Sequence, residues 1–169
     1  MAEYALFIRG INVGKTKRVK VQDISSMLSA SFGNVRSYGQ SGNFVFSTDI
    51  QRKDISPMIE SKFEERFGFG ASCLLRTKEE LSAVLDDIPF KDAPKDHLYF
   101  IFIDREIPHG RTEWENNGDL AKRSGSIIYL NCMGEYHKTK LSNNFFEKEL
   151  GAVCTARNWN TVENVLKLQ

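Results

Sequence analysis

Phe7-Ile8-Arg9-Gly10-Ile11-Asn12-Val13-Gly14 is the stretch on which the fold reading turns. Tyr4 to Arg9 alternates as a buried strand, with Tyr4, Leu6 and Ile8 on one face and Ala5, Phe7 and Arg9 on the other. Two glycines then bracket an asparagine. A basic loop follows to Lys20, with no acid between Arg9 and Asp23. From Val21 the period becomes helical, with Ile24, Met27 and Leu28 on one face, and Gly33-Asn34 closes the helix. Val35–Tyr38 reads as a short strand. Gln40-Ser41-Gly42-Asn43 supplies turn chemistry, and Asn43–Ser47 is the next strand. A helix is expected from about Lys53 to Phe67, with Pro57 in its first turn, then a strand from Ala71 to Arg76. This β-α-β-β-α-β order is that of a ferredoxin-like lobe, an antiparallel sheet with two helices on one face.

Thr77 with Glu80 is a capping box for a third helix, and Pro89–Asp96, with two prolines and four charges, is the natural linker. His97–Asp104 is apolar on both faces and is expected at the centre of a sheet. Glu106–Gly118 is poorly patterned. A hairpin is expected around Arg123-Ser124-Gly125, then a helix over Leu141–Leu150, a strand over Ala152–Thr155 and a last helix over Asn160–Leu168, with Asn160 and Glu163 as its N-cap pair. The expected class is therefore α+β, with two ferredoxin-like lobes and mainly antiparallel sheets. Residues 1–88 form the first lobe with its capping helix; residues 89–169 form the second with the C-terminal helix.

Leu6–Gly14, Gln40–Asn43, Arg76-Thr77, Lys140-Leu141 and Thr155-Ala156-Arg157-Asn158-Trp159-Asn160-Thr161-Val162 together resemble a bacterial domain-of-unknown-function family, DUF1697. The resemblance runs over essentially the whole chain. It departs at Lys15, where members often carry a second glycine, and at Val21, where a methionine is usual. It implies paired ferredoxin-like subdomains and no established activity.

The 169 residues are 41% hydrophobic and 27% charged, with a net charge of +1, so any attraction for a polyanion has to come from a local patch. Cys73, Cys132 and Cys154 are widely spaced, which points to free, buried thiols in a reducing compartment. No apolar run reaches a membrane span, and Met1-Ala2-Glu3-Tyr4 does not open a signal peptide, so a cytoplasmic protein without membrane partners is expected.

His97, His109 and His137 are scattered, so no metal site and no cofactor are expected, and no residue is assigned a catalytic role. The polar, special-backbone motifs gather at strand and helix ends. They nominate Arg9, Asn12, Gly14, Ser41, Asn43, Lys140, Arg157, Asn158, Asn160 and Thr161 as ligand-binding residues. On this reading the protein is a binding protein or weak enzyme for a small anionic ligand, phosphorylated or nucleotide-like, at a site between the lobes. One alternative is nucleic-acid binding through the basic loop Lys15–Lys20. Another is that the motifs are purely structural and hold the lobes together. Stacking of RNA bases on the first sheet is disfavoured by register: Asn43 and Val45 occupy the positions where aromatic rings belong, while Phe44 and Phe46 face the core.

Overall fold

The computed structural model describes residues 1–169, as a mixed α/β protein with two antiparallel sheets, of four and five strands, and five α-helices. It divides into two compact units. The first comprises residues 1–82 with 163–169, the second residues 83–162.

In the first unit the elements are β1 (Ala2–Arg9), α1 (Val21–Ser29), β2 (Gly33–Tyr38), β3 (Asn43–Thr48), α2 (Arg52–Phe67) and β4 (Ser72–Arg76), followed by α3 (Lys78–Asp86). The sheet runs β2-β3-β1-β4, so the most apolar strand, β1, is paired on both edges. Its alternation decides the packing. Tyr4, Leu6 and Ile8 meet Phe44, Phe46 and Leu75 from the neighbouring strands, and Ile24, Leu28, Ile55, Ile59 and Phe63 from α1 and α2 close over them. Removing that apolar surface from water is the main force holding both helices on the sheet. Pro57 lies more than one turn inside α2 rather than in its first turn, because the helix opens at Arg52; the proline is exposed, so the one backbone bond it forgoes is lost at a wet surface.

The capping box forms as read. Glu80 N–H donates to Thr77 Oγ1 at 3.2 Å, and Thr77 N–H to Glu80 Oε2 at 2.8 Å. Arg52 adds a bidentate pair on the same carboxylate, at 2.7 and 3.0 Å. Burial pushes the Glu80 carboxyl up, but these bonds outweigh it and hold the group below the usual carboxylate range. The chain's last residues belong to this unit: Arg36 donates to the Leu168 carbonyl and pairs with Glu3, and Lys78 Nζ reaches the Gln169 carbonyl at 2.9 Å.

The second unit holds β5 (Leu98–Ile103), β6 (Glu113–Asn116), β7 (Asp119–Ser124), β8 (Ile127–Asn131), α4 (Asn143–Leu150) and β9 (Cys154–Asn158), with α5 (Trp159–Leu168) following directly. Its sheet runs β6-β7-β8-β5-β9, and β5 is central as its two apolar faces require. Without β6 the order is β7-β8-β5-β9, the arrangement of the first sheet. No α-helix follows β5, however; a loop and the short strand β6 stand in its place, in the stretch that is poorly patterned in sequence. Two further expectations shift. The last strand continues through Asn158, so Arg157 is a strand residue. The last helix starts at Trp159, and its first turn is capped by Asn158, whose Oδ1 accepts the Thr161 N–H at 2.9 Å, instead of by Asn160. Strand pairing with β5 carries the chain three residues further than local propensity implies. No helix is long and apolar enough to cross a membrane.

Candidate functional site

The loop after β1 is a built hairpin. Its ends are anchored by buried Ile11 and Val19. Between them the chain reverses at Gly14-Lys15, closed by an antiparallel bridge from Val13 to Thr16. Gly14 has φ +63°, as the first position of such a two-residue loop demands, and its surroundings are open, so the glycine serves the turn and not the packing.

Asn12 holds the base. It adopts φ +52°, a conformation asparagine tolerates better than most residues, and its N–H donates to the Lys17 carbonyl at 3.0 Å. Its side-chain oxygen accepts from Val19 N–H at 2.8 Å. Its amide nitrogen donates to Val19 O at 2.9 Å and to Gln40 O at 2.8 Å. Both amide hydrogens and the oxygen are therefore spent on main chain. The last of these bonds joins the hairpin to the Gln40–Asn43 turn, so two motifs 28 residues apart in sequence become one structure.

That turn is fixed in its own right. Gly42 combines φ +88° with a backbone approach so close that a Cβ would lie 2.9 Å from Ile11 Cδ1 and 3.0 Å from Ile8 Cβ. Ile8 N–H donates to Gly42 O at 2.8 Å. Asn43 is buried and donates to Tyr38 O at 3.1 Å and Ser41 Oγ at 2.8 Å. Register pairs Phe7 with Asn43 and Arg9 with Ser72, which puts Arg9, Phe7 and Asn43 on one face of the sheet. Phe7 is fully buried there and Phe44 and Phe46 lie in the helix-side core, so this sheet presents none of these rings to stack on a base.

With the base tied down, the outer part of the hairpin is exposed. Lys15, Lys17, Arg18 and Lys20 all face solvent, and none is paired with a carboxylate. Lys17 Nζ lies 6.0 Å from the Phe69 ring centroid, which positions that cation without neutralising it. Val13, beside the tip, is 71% exposed.

The other five nominated residues lie in the second unit. Arg157 is buried, and its Nη1 donates to Thr155 Oγ1 at 2.6 Å and to the Ala156 carbonyl at 2.9 Å. Burial pulls its pKa down to about 10, against a smaller upward pull from Tyr136. Asn158 and Thr161 meet as the cap of α5, while Asn160 and Lys140 are exposed. Trp159 packs 5.8 Å from the Phe100 ring, with Lys95 Nζ 4.9 Å from its own centroid.

Two residues that sequence reasoning passed over organise this unit. Buried Asp119 accepts from Met133 N–H at 2.8 Å and Thr139 Oγ1 at 2.6 Å, fixing the segment that carries Lys140. Buried Arg123 gathers the carbonyls of Ile107, His109 and Arg111 at 2.5–3.3 Å, and so shapes the loop after β5. Asn117-Gly118 directly before Asp119 is a turn signal that could have drawn attention to it. Arg123 leaves no such trace, because its partners are main-chain atoms of residues without special type. The three cysteines are all buried and unbridged, and burial, with a smaller effect from Glu60, pushes the Cys73 thiol far above its usual range.

Among solved structures, a conserved bacterial protein, SP0830 from Streptococcus pneumoniae, superposes with a TM-score of 0.72 at 22% identity, covering 99% of this chain and 98% of that one. At that identity the likeness is one of fold. No curated protein matches the sequence. The family model described as "Protein of unknown function (DUF1697)" matches residues 1–122, a span that contains the hairpin, its Asn12 clamp and the Gln40–Asn43 turn. The chain belongs to the DUF1697 family.

Proposed function

We propose that this protein binds a phosphate-bearing anion through the Val13–Lys20 hairpin of its first unit. The observation that carries the reading is the Asn12 clamp. A loop of merely solvated lysines needs no fixed geometry, yet here one side chain spends all its hydrogen-bonding capacity on fixing the main chain that carries Lys15, Lys17 and Arg18. Preorganised charge binds an anion with less ordering cost than flexible charge does. Within this reading Asn12, Ser41 and Asn43 build the platform. Gly14 with Lys15, Lys17, Arg18 and Lys20 makes the contact, and Arg9 lends positive charge from the end of β1. No reaction is assigned.

The second reading, that the C-terminal motif is structural, is favoured by Arg157, which is buried and bonded to Thr155 and Ala156 within its own strand. We also read each unit as ferredoxin-like, on strand order, and place the protein in the cytoplasm on its three unbridged cysteines.

Titration of isotope-labelled protein with inorganic tripolyphosphate tests the main reading by NMR. Amide shifts should concentrate in residues 13–20 and vanish in a Lys15→Ala/Lys17→Ala/Arg18→Ala variant. Shifts confined to other parts of the chain, or none at all, would overturn it.

A further inference from the structure

Each sheet ends in two outer strands, and three of these edges are closed or broken. β4 turns the main-chain groups of Cys73 and Leu75 outward. Cys73 N–H donates to Glu60 Oε1 at 2.8 Å, and Leu75 O accepts from Arg52 Nη2 at 3.0 Å. β9 is closed in the same way: Cys154 N–H donates to Glu147 Oε2 at 3.1 Å, and Ala156 O accepts from Arg157 Nη1 at 2.9 Å. The ladder of β2 shifts register between Gly33 and Arg36. Side-chain cover and irregular pairing both keep an edge from joining another chain.

The β6 edge is open. Arg123 N–H donates to Thr112 O at 2.8 Å, so Thr112/Arg123, Trp114/Ala121 and Asn116/Asp119 are the bonded pairs between β6 and β7. Glu113 and Glu115 fall between them and point their main-chain groups away from β7, where the sheet ends. Arg111 Nε takes the Glu113 carbonyl at 2.6 Å. The Glu113 N–H and both main-chain groups of Glu115 have no partner in the chain.

The side chains along this edge select the strand that fits it. Glu113 and Glu115 are exposed and share a face with Lys122 and Leu120 of β7. A cavity of about 200 Å³ lies against these four residues and Arg111. Its cations are engaged: Lys122 Nζ is 3.9 Å from Glu113 and 5.6 Å from the Phe90 ring centroid, and Arg111 lies over Trp114. The Glu115 carboxylate has no such partner, and Leu120 beside it is 37% exposed. An acid next to an exposed apolar side chain suits a long side chain with an apolar stem and a cationic head.

We infer that β6 accepts an extended, antiparallel strand from a basic partner protein, bonded to the main chain of Glu113 and Glu115 and carrying a lysine or arginine opposite Glu115. Main-chain bonds supply affinity in such an addition, and alternate side chains choose the partner. The same charges exclude a second copy of this chain, because two antiparallel β6 edges would set carboxylate against carboxylate.

NMR titration of the labelled full chain with a blocked hexapeptide of alternating lysine and threonine tests this. In an antiparallel addition the lysines, opposite the glutamates, aim their N–H groups at β6, and the threonines aim theirs away. Two further peptides are therefore N-methylated at the lysines or at the threonines, and a fourth replaces lysine by glutamate. The expected result is sub-millimolar binding of the basic peptide, with shifts concentrated in residues 113–116 and slowed exchange of the Glu113 and Glu115 amides. Methylation at lysine should weaken binding at least about tenfold and methylation at threonine by less than about twofold. The glutamate peptide should bind only the Glu113→Lys/Glu115→Lys variant, whose exposed substitutions leave the circular dichroism unchanged. Equal binding of the two methylated peptides would reduce the contact to charge attraction and overturn the inference. So would shifts confined to other residues, no binding at all, or an unchanged preference in the charge-reversed variant.

Discussion

The loop after β1 and the loop after β5 occupy the same place in two sheets of like strand order, and each is held by one polar side chain that bonds only to main chain. They differ in where the charge goes. In the first unit the clamp is neutral Asn12, and the loop's cations remain outside and unpaired. In the second the clamp is itself a cation, buried Arg123, and its neighbours are also engaged. Arg105 pairs with Asp104 at 3.2 Å, and Arg111 donates to the Glu113 carbonyl at 2.6 Å and lies over the Trp114 ring. The second loop turns its guanidinium groups to bonds within itself, while the first leaves its cations in solvent without such bonds.

The contrast can be broken at four places, in descending order of expected effect. Gly42→Ala attacks the turn on which Asn12 leans. It combines a left-handed φ with a Cβ forced against Ile8, and should destabilise the first unit by about 3–4 kcal/mol in urea unfolding. Next, Arg123→Ala strips three carbonyls of their shared donor. A loss of about 3 kcal/mol is expected, with fast amide exchange over residues 105–112. Arg123→Lys should recover less than half of it, since one ammonium cannot reproduce the planar fork.

Asn12→Asp comes third. The new carboxylate keeps the Val19 N–H but turns an oxygen towards the carbonyls of Val19 and Gln40, and about 2 kcal/mol should be lost. Facing two carbonyls, the carboxyl has its folded-state pKa raised, so the penalty is full at neutral pH, shrinks as pH falls through that raised value and levels off at the ordinary aspartate range, where the unfolded chain is protonated as well. Smallest in stability is Lys17→Ala, within about 0.5 kcal/mol of wild type because the side chain is exposed. Its effect should appear in anion affinity instead. A large loss of stability there would mean the hairpin's cations hold the fold, as Arg123 does, and the contrast between the loops would disappear.

How far these features were legible from sequence follows from the range of the forces behind them. The first unit was readable because its signals are local. β1 is a continuous apolar run closed by Arg9-Gly10, Phe44 and Phe46 share a face, and Thr77 with Glu80 announces a helix start that the structure forms. The second unit was less so. β6 carries Glu113, Glu115 and Asn116 around a single buried Trp114, too short and too polar to show a period of two; it is a strand because β7 lies beside it. The extension of β9 to Asn158 has the same cause. Within the site, the sequence pointed at Asn12, Gly14 and the Gln40–Asn43 turn, since glycine and asparagine mark unusual backbone. It could not show that Asn12 joins that turn to the hairpin, because a bond to a main-chain carbonyl 28 residues away leaves no mark on residue type. Arg123 was invisible for the same reason.

The central claim is that Asn12 makes a binding surface out of four exposed cations, and Asn12→Ala tests it most directly because it removes no charge. Calorimetric titration with tripolyphosphate should show affinity lower by about tenfold in Asn12→Ala, with circular dichroism unchanged and faster amide exchange over residues 13–19. Equal affinity in the two proteins, with the hairpin demonstrably loosened, would contradict the account: the cations would then act as solvated charges for which the clamp is irrelevant.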